Sequence, residues 1–268
     1  MNLLERFGRP KKKSKGEIFP AFVLLSEATL DIEDLAHRIY DDWGIEFAAE
    51  DIREGADDES PMLVSMDIEG CTVAISLMAA PVPNDEAVQN AYTNWWWEDA
   101  VEVAQNHQAH ILLAVLGPDD KPLKDIATLQ AKLGATCLKL PQAQAMNALG
   151  TVVEPSYYIS GIEIALEEDI FPILNYVFFG MYSKDEGKTF SGYTFGLETL
   201  GKQDIEILDS TQGFDETLGF MRDIASYLMD YDAVIKDGET VGFTEEQKLP
   251  VTESKGVAIP GKTLKIAF

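Results

Sequence analysis

The sequence is poor in cysteine and in long apolar runs, and each shortage excludes a class of protein. Its two cysteines, Cys71 and Cys137, are too few for the disulfide framework of a small secreted domain. No uninterrupted apolar segment is long enough to cross a bilayer, and residues 1–4 are too short to form the apolar core of a signal peptide. These shortages predict a soluble cytoplasmic protein in which both cysteines are small buried hydrophobic residues.

Basic residues are scarce as well, since 21 Lys and Arg stand against 46 Asp and Glu, for a formal net charge of −25. Six of these cations lie in the first sixteen residues, so the rest of the chain carries 15 basic and 45 acidic residues, or −30. Such a surface repels nucleic-acid phosphates and anionic lipids, and it attracts basic proteins. We therefore expect a flexible basic tail over residues 1–17, a basic protein partner, and no nucleic-acid or membrane partner; homo-oligomerisation is left open.

Hydrophobic periodicity in the first half predicts alternating strands and helices. The order strand, helix, hairpin, helix, strand is that of a split β-α-β or ferredoxin-like module. The predicted strands are residues 19–25, 62–68, 71–78 and 109–116, with a hairpin turn at Glu69-Gly70. The predicted helices are one from a cap at Thr29 or Asp31 to Gly44, a long one from Asn84 or Asp85 through Trp95 to Ala104, one from Leu123 to about Gly134, and a short one at 141–149.

The second half is predicted to be richer in strands, at 151–159, 173–181, 189–197, 203–208, 248–253 and 263–268, with one helix at 214–228. Ile205 and Ile207 alternate with Asp204 and Glu206, which is typical of a strand with one buried face, so Glu206 is expected to face solvent. The predicted fold class is α+β, with two modules of antiparallel or mixed sheet and packed helices. These modules span residues 18–155 and 156–268.

Four motifs of the second half are Tyr193-Thr-Phe-Gly-Leu197, Leu200-Gly-Lys202, Ile205-Glu-Ile207 and Lys236-Asp-Gly-Glu-Thr-Val-Gly242. With these motifs the chain resembles a bacterial family known as domain of unknown function 4261. Ala79-Ala-Pro-Val-Pro83 and Ala109-His-Ile-Leu-Leu113 are similar to the amino-terminal part of the same proteins, so the resemblance covers most of the chain. It implies no activity that can be carried over residue by residue, but related acidic α+β families are met as immunity proteins to bacterial toxins.

The segment Gly256-Val-Ala-Ile-Pro-Gly-Lys-Thr263 matches the phosphate-binding pattern G-x-x-x-x-G-K-[ST]. A phosphate-binding loop needs a helix immediately after it, because the amino end of that helix completes the anion site. Here the next residues are 264–268, which alternate like a strand. The segment is therefore predicted to be a turn before the last strand, with no nucleotide bound.

Neither a catalytic nor a metal or cofactor site can be named from the sequence. The three histidines are His37, His107 and His110, and the last two straddle the predicted junction between a helix and a strand, where they would not share one face. No G-x-S-x-G turn and no G-x-G-x-x-G after a strand occurs. An enzyme is therefore not favoured, although the abundant carboxylates leave a hydrolase-like activity open.

Trp95, Trp96 and Trp97 form an unusual aromatic cluster. On a helix three consecutive side chains fan over about 200°, so at least one of them should be exposed. Two interpretations remain: burial against neighbouring strands or a subunit, or an anchor for a partner, rimmed by acidic residues such as Glu98 and Asp99.

The second candidate surface is the segment 41–59, which contains nine carboxylates and one arginine. We expect a non-enzymatic interaction protein of the immunity or antitoxin type that binds and occludes a basic toxin or effector domain. The tryptophans would hold the partner, and charges of the acidic segment would steer it. The steering residues named by this hypothesis are Asp41, Asp42, Glu54, Asp57, Asp58 and Glu59. The alternatives are a hydrolase-like enzyme and a structural subunit of a larger complex.

Overall fold

The structure is a computed structural model that describes residues 20–46, 62–148, 150–244 and 246–268. These residues fall into two compact units, one ending at Asn175 and one beginning at Tyr176. The division expected near residue 155 lies inside the first unit. Within the described ranges, no helix is both long enough and apolar enough to cross a bilayer.

The first unit contains a six-stranded sheet in the order β2-β3-β4-β1-β5-β6, in which every neighbouring pair is antiparallel. Its strands are β1 (Ala21–Leu25), β2 (Met62–Ile68), β3 (Cys71–Met78), β4 (Ala109–Leu116), β5 (Ala143–Ala148) and β6 (Thr151–Val153). Its helices are α1 (Ile32–Trp43), α2 (Glu86–Ala91), α3 (Ala100–Asn106), α4 (Leu123–Leu138) and α5 (Pro155–Glu167).

Helices cover both faces of this sheet. α2 and α3 pack over Leu24, Ala145 and Val152 on one face. Alternation along β5 places Met146 on the opposite face, where it approaches Gly134 of α4. The sheet is therefore the middle layer of three, and its core is closed on both sides.

Strand order in the first unit confirms the α+β class but not the ferredoxin-like detail. β4 lies between β3 and β1, and both β4 and β5 run antiparallel to β1. β4 and β5 are thus parallel, with β1 between them and α4 joining them. The split β-α-β unit in this chain consequently consists of β4, α4 and β5.

Several local signals in the sequence act as predicted. Asp31 caps α1 by accepting a hydrogen bond from the Asp34 backbone N–H at 3.0 Å, and Gly44 ends the helix with φ 66°. Glu69 and Gly70 turn the β2–β3 hairpin with φ 51° and 76°, the left-handed pair that a two-residue type I′ turn requires.

The long helix predicted from Asn84 or Asp85 to Ala104 is wrong, because it is interrupted between α2 and α3. The Asn94 side chain accepts hydrogen bonds from the backbone N–H groups of Trp96 and Trp97, both at 2.9 Å. In a continuous helix these N–H groups would bond to carbonyls four residues earlier. Asn side chains compete with helices in this way, so the tryptophans lie in a loop and not on a helix.

Several other boundaries differ from the prediction; for example, the strand expected at 173–181 begins only at Phe178. Residues 143–148 form the strand β5 where a short helix was expected, and the strand expected at 151–159 ends at Val153. Pro155 then begins α5, since proline is well tolerated at the first helical position. Gly134 lies inside α4 and does not end it; a Cβ there would be 3.0 Å from the Tyr158 ring, so this glycine serves close packing.

The second unit has its own six-stranded sheet in the order β10-β11-β12-β9-β8-β7, where β9 and β12 are parallel and the other pairs antiparallel. The helix α6 (Phe214–Asp230) packs against β7, β8 and β9. The strands are β7 (Phe178–Tyr182), β8 (Phe190–Phe195), β9 (Ile205–Ser210), β10 (Thr240–Val241), β11 (Leu249–Lys255) and β12 (Lys262–Ile266).

Both cysteines lie in the first unit and are buried free thiols, as predicted. Cys137 is on α4, and burial raises the pKa of its thiol to about 12. A thiol with such a pKa stays protonated at neutral pH and is a poor nucleophile.

Candidate functional site

The loop between α2 and α3 carries the most exposed tryptophan among the described residues, Trp95, which is 40% exposed. The rings of Trp95 and Trp96 meet edge to face, with centroids 5.1 Å apart and planes at 79°. The Trp96 ring in turn lies 5.1 Å from the ring of Tyr157 on α5, at 35°. We refer to Trp95, Trp96 and Tyr157 as the aromatic platform.

The platform is held in place by hydrogen bonds from the residues before it. The side-chain amide of Asn94 donates to the carbonyl of Val152 on β6 at 2.8 Å, while its oxygen accepts the two tryptophan N–H groups described above. The Thr93 hydroxyl lies 2.7 Å from the carbonyl of Asn90 and 3.0 Å from that of Gly150. The loop is therefore anchored to the β5–β6 edge of the sheet before any partner arrives.

The structure separates the three tryptophans that the sequence grouped together. Trp97 packs against the apolar cluster of α2, α3 and the sheet, which is the structural role that one interpretation assigned to the whole cluster. Trp95 projects to solvent, and Trp96 lies between it and Tyr157. Tyr92, three residues before Trp95, is also exposed, at 61%.

The charged side chains of the two segments that contain the platform are all acidic. Residues 54–120 and 140–183, which contain the loop and α5, include no lysine and no arginine. Glu98, Asp99 and Glu102 follow the platform and are exposed, and Glu154 immediately precedes α5. The segments that build the platform thus contribute a negative potential without a compensating cation.

The predicted steering residues are placed elsewhere or lie outside the described residues. Asp41 is exposed on α1, a helix whose contacts are with α4. Asp42 accepts hydrogen bonds from the Thr136 hydroxyl at 2.7 Å and from Lys139 Nζ at 2.9 Å, so it ties α1 to α4. The residues outside the described part of the chain are Glu54, Asp57, Asp58 and Glu59.

His107 is buried, and its ring holds the loop at Val82 in place by a hydrogen bond. Its Nε2 accepts a hydrogen bond from the Val82 backbone N–H at 2.8 Å, so the proton is on Nδ1, which donates to the Ala104 carbonyl at 2.6 Å. Burial lowers the pKa of His107 below its ordinary value, although the bond to Ala104 opposes that shift. The ring is therefore neutral at physiological pH and structural in role.

His110 has a similar position on β4. Its Nδ1 lies 2.9 Å from the Ala80 carbonyl, and its ring meets the Phe22 ring edge to face. Burial also lowers its pKa. His37 is exposed on α1. In the part of the chain that the structure covers, no group of three or more His, Cys, Asp or Glu side chains is arranged to hold a metal ion.

Glu206 on β9 was expected to face solvent, and this is wrong, because it is fully buried. Its carboxylate accepts hydrogen bonds from the backbone N–H groups of Val257 (2.9 Å) and Ala258 (2.7 Å) and from the Thr263 hydroxyl (2.9 Å), and it pairs with Lys265 at 2.7 Å. Burial alone would raise the pKa of Glu206, but these partners hold it below its ordinary value. Alternation along β9 predicts that this face of the strand is exposed to solvent, but the turn before β12 covers it.

The phosphate-loop pattern at residues 256–263 is, as predicted, a turn that leads into the last strand, β12. Two of its backbone N–H groups do bind an anion, and that anion is the chain's own Glu206. The N–H groups of this loop that could bind an anion are therefore already bound to a side chain of the same protein.

Asp204 is a second buried carboxyl group that the pattern assigned to the surface, since it is only 6% exposed. One oxygen accepts hydrogen bonds from the Thr194 hydroxyl at 2.8 Å and from the Leu197 backbone N–H at 3.1 Å. Burial raises its pKa to about 6, and the hydrogen bonds limit the rise. Asp204 thereby fixes the short helical turn between Gly196 and Gly201, the two glycines that made this stretch conspicuous in the sequence.

A pocket of about 260 Å³ in the first unit lies at α4 and is lined by three lysines, Lys121, Lys124 and Lys132, and by an equal number of carboxylates. Lys124 binds the carboxylate of Asp169 at 2.9 Å, and Lys121 donates to the Glu69 carbonyl. Its charges are largely satisfied within the protein, so it offers a weaker site than the platform.

Comparison with known proteins agrees with the resemblance found in the sequence. Residues 193–267, which run from β8 to β12, match the family model described as Domain of unknown function (DUF4261). Neither the comparison with curated proteins nor that with solved structures found a match.

Proposed function

We propose that this chain, whose residues 193–267 match the DUF4261 family model, is a cytoplasmic, non-enzymatic interaction protein that binds and occludes a basic protein, in the manner of an immunity protein or antitoxin. The family carries no activity to transfer, so the proposal depends on the site. The observation that carries it is the aromatic platform, which is exposed at Trp95, anchored by Asn94 and followed in sequence by the carboxylates of Glu98, Asp99 and Glu102.

Exposed, immobilised aromatic side chains are effective binding anchors. Trp and Tyr dominate the energetics of interfaces, because they bury a large area and lose little side-chain freedom. The hydrogen bonds of Asn94 fix the loop in advance, which removes part of the ordering cost of association. A partner that buries Trp95 would gain most of its affinity there.

The charge of the chain supports a basic partner. At a formal net charge of −25 the protein attracts cationic surfaces over distances of about a Debye length, roughly 8 Å at physiological salt. This attraction raises the association rate, whereas the packed aromatic anchor lowers the dissociation rate. The two features therefore act on different steps of the same encounter.

Steric occlusion of a toxin follows from the same chemistry. A domain that acts on nucleic acid needs a cationic surface to bind phosphates. An acidic protein with an aromatic anchor would cover that surface and exclude the nucleic acid, without performing any reaction. This is the sense in which we assign an antitoxin-like role.

The experiment is capture of a partner from the native cell with the tagged full-length chain, followed by an assay of the partner's own activity. We expect a basic protein that is retained by the wild-type chain, released by raised salt, and inhibited when bound. The variant Trp95→Ala should lose at least tenfold in affinity, as expected for an interface hot spot. The matched control is Tyr231→Ala, which removes an exposed aromatic residue that lies in the second unit and is 76% exposed.

Two results would contradict the proposal. One is the absence of any stable protein partner together with the absence of a basic gene product beside the gene. The other is a partner that is retained equally by the wild-type chain and by Trp95→Ala.

The hydrolase-like alternative would be favoured by a histidine set against carboxylates in a cleft. His107 and His110 are instead buried and bonded to the backbone at Val82, Ala104 and Ala80. No specific observation among the described residues therefore favours that alternative over the binder.

A further inference from the structure

We infer that two buried histidines make the aromatic platform sensitive to acid: protonation of His107 detaches the loop of residues 80–82, and α2 and the platform loop lose order with it. Where it concerns the partner, this inference rests on the proposed function, because the platform is the surface that the partner would contact. It adds a regulatory step to that function, namely loss of the partner as the pH falls.

Two of the three histidines in the chain bind the backbone of the same short loop. His107 Nε2 accepts a hydrogen bond from the Val82 N–H at 2.8 Å, and His110 Nδ1 donates to the Ala80 carbonyl at 2.9 Å. Both rings are buried, at 4% and 3% exposure. The loop that follows β3 is thus held to the end of α3 and to β4 by groups whose charge can change near neutral pH.

Protonation of His107 breaks its bond to the loop for a geometric reason. Nδ1 already donates to the Ala104 carbonyl, so an additional proton can be placed only on Nε2, where it would point at the Val82 N–H. Two N–H groups that face each other repel, so Val82 has to move away. His110 donates to Ala80 in either protonation state, and its protonation adds a second buried charge without removing a bond.

No counter-charge would stabilise these rings in the protonated form. Burial lowers the pKa of both histidines, and the bonds to the Ala104 and Ala80 carbonyls oppose this shift. The one charge in the described residues that acts on either pKa is that of His107 on His110, and it lowers the pKa further. The carboxylates of the adjoining segments are exposed to solvent; they are Asp85, Glu86 and Glu102. An imidazolium group here is therefore relieved by opening of the loop to water.

The 80–82 loop supports α2 through the apolar core. Val82 is 4% exposed and belongs to the same buried cluster as Ala87 and Ala91 of α2, and Trp97 packs against this cluster from the loop that carries the platform. Displacement of Val82 removes packing from α2 and from Trp97 together. The platform loop follows α2 directly, so its order depends on the position of that helix.

The residues between the 80–82 loop and α2 hold a disfavoured backbone. Asn84 and Asp85 are both left-handed, with φ 59° and 53°. Asn and Asp enter this region more readily than most residues, but two in succession are still unfavourable. Such a conformation persists only while the surrounding contacts impose it. Loss of the bond at Val82 therefore lets this segment relax away from its present position.

The test is amide hydrogen exchange of the full-length chain between pH 7.5 and 5, with each rate corrected for the intrinsic exchange rate at that pH. We expect residues 86–94 to exchange faster than β3 and β4, through an opening whose rate does not rise in low urea. Their protection should fall by up to about tenfold for each pH unit below the ordinary histidine pKa of about 6.5, since the opening takes up one proton.

His107→Gln removes the titration but keeps the bonds, because an amide side chain can accept from Val82 and donate to Ala104 at any pH. Its residues 86–94 should keep the same protection throughout, whereas His37→Gln, at an exposed histidine, should respond like the wild type. Val82→Pro provides a second variant. Val82 has φ −55°, which suits proline, and the substitution deletes the N–H donor, so residues 86–94 should exchange fast and without pH dependence.

Three results would overturn the inference: protection of residues 86–94 that does not change with pH, the same pH response in His107→Gln as in the wild type, or exchange at the rate of β3 and β4 at every pH. Failure of the proposed function is distinguishable, because these measurements need no partner. A captured partner that the wild-type chain retains equally at pH 7.5 and 5, while residues 86–94 lose protection, would contradict the regulatory step alone.

Discussion

Glu206 and Lys265 lie directly opposite each other on the parallel strands β9 and β12, with a carboxylate oxygen 2.7 Å from Nζ. The remaining acceptor capacity of Glu206 is filled by the Thr263 hydroxyl and by two N–H groups of the turn at 256–261. A buried ion pair is tolerated only when its other polar groups are satisfied, and this one meets that condition. The pair therefore joins the turn and the two strands β9 and β12 in one network.

Replacement of Glu206 by Ala should destabilise the second unit strongly, because it leaves the Lys265 ammonium group and two backbone N–H groups without their acceptor. Breaking one side of a buried pair costs about 3–5 kcal/mol in the free energy of unfolding. Urea denaturation of the full-length chain measures this loss. The matched control is Glu253→Gln at the exposed Lys262 pair, which should leave the urea midpoint nearly unchanged. Similar losses in both variants would contradict the structural role of Glu206.

The stability of the first unit should fall as the pH is lowered below the ordinary histidine pKa of about 6.5. Burial lowers the pKa of His107 in the folded protein, so the unfolded chain takes up a proton first. The stabilisation is complete above that pH and is lost progressively as the pH falls, because a protonated ring no longer accepts from Val82. Thermal unfolding between pH 7.5 and 5 measures the slope, which should be smaller in His107→Gln. His37→Gln, at an exposed position, should keep the wild-type slope; a pH-independent wild-type melting temperature would contradict the prediction.

Asp204 should give the opposite pH dependence in the second unit. Its pKa is raised to about 6 in the folded state, so the stability that it provides is present at low pH and is lost as the pH rises through that value. The neutral Asp204→Asn retains an oxygen for the bonds from Thr194 and Leu197. We expect it to equal or exceed the wild type in unfolding free energy at pH 7.5 and to lose that advantage at pH 4.5. A difference between the two proteins that does not change with pH would contradict this account.

Asn94→Ala should loosen the aromatic platform without removing a ring. The variant loses the bond to Val152 and the acceptor for the N–H groups of Trp96 and Trp97, at about 1 kcal/mol of stability for each net hydrogen bond. Amide hydrogen exchange at Trp96 should become faster, and affinity for the basic partner should fall because the loop must be ordered on binding. Asn94→Asp keeps the acceptor oxygen, so its exchange rate at Trp96 and its affinity for the partner should lie between those of the wild type and of Asn94→Ala. Unchanged exchange at Trp96 in Asn94→Ala would show that Asn94 does not hold the loop.

Sequence patterns correctly predicted the strands, caps and turns that are determined by residues close together in the chain. β2, β3 and β4 have the predicted bounds, because period-two alternation, an apolar run and the Glu69-Gly70 turn are all contained within short windows. The cap at Asp31 and the end at Gly44 are equally local. The family resemblance in the second half was also recognisable there, since its motifs are contiguous.

The features that were missed depend on residues far apart in the chain. The break between α2 and α3 is stabilised by Asn94 reaching Val152 on β6, a partner that no helical window contains. Glu206 is buried because residues 257 and 258 fold over it, and alternation along β9 carries no information about that second layer. The tryptophan cluster is visible in the sequence, but its division into an exposed Trp95 and a Trp97 packed on the core depends on the loop geometry.

The parallel pairing of β9 with β12 also limits how early the second unit can fold during translation. Residues 211–261, which contain α6, β10 and β11, separate the two strands in sequence, yet Leu264 pairs with Ile205. During translation the sheet of the second unit cannot close until residues 262–266 have left the ribosome, and until then Glu206 lacks both Lys265 and Thr263. Closing such a distant contact is slow, since the entropy of the long intervening segment is lost before the contact is gained. The second unit is therefore vulnerable to proteases and to misassembly until β12 has been made, while the first unit, translated earlier, has already had time to fold.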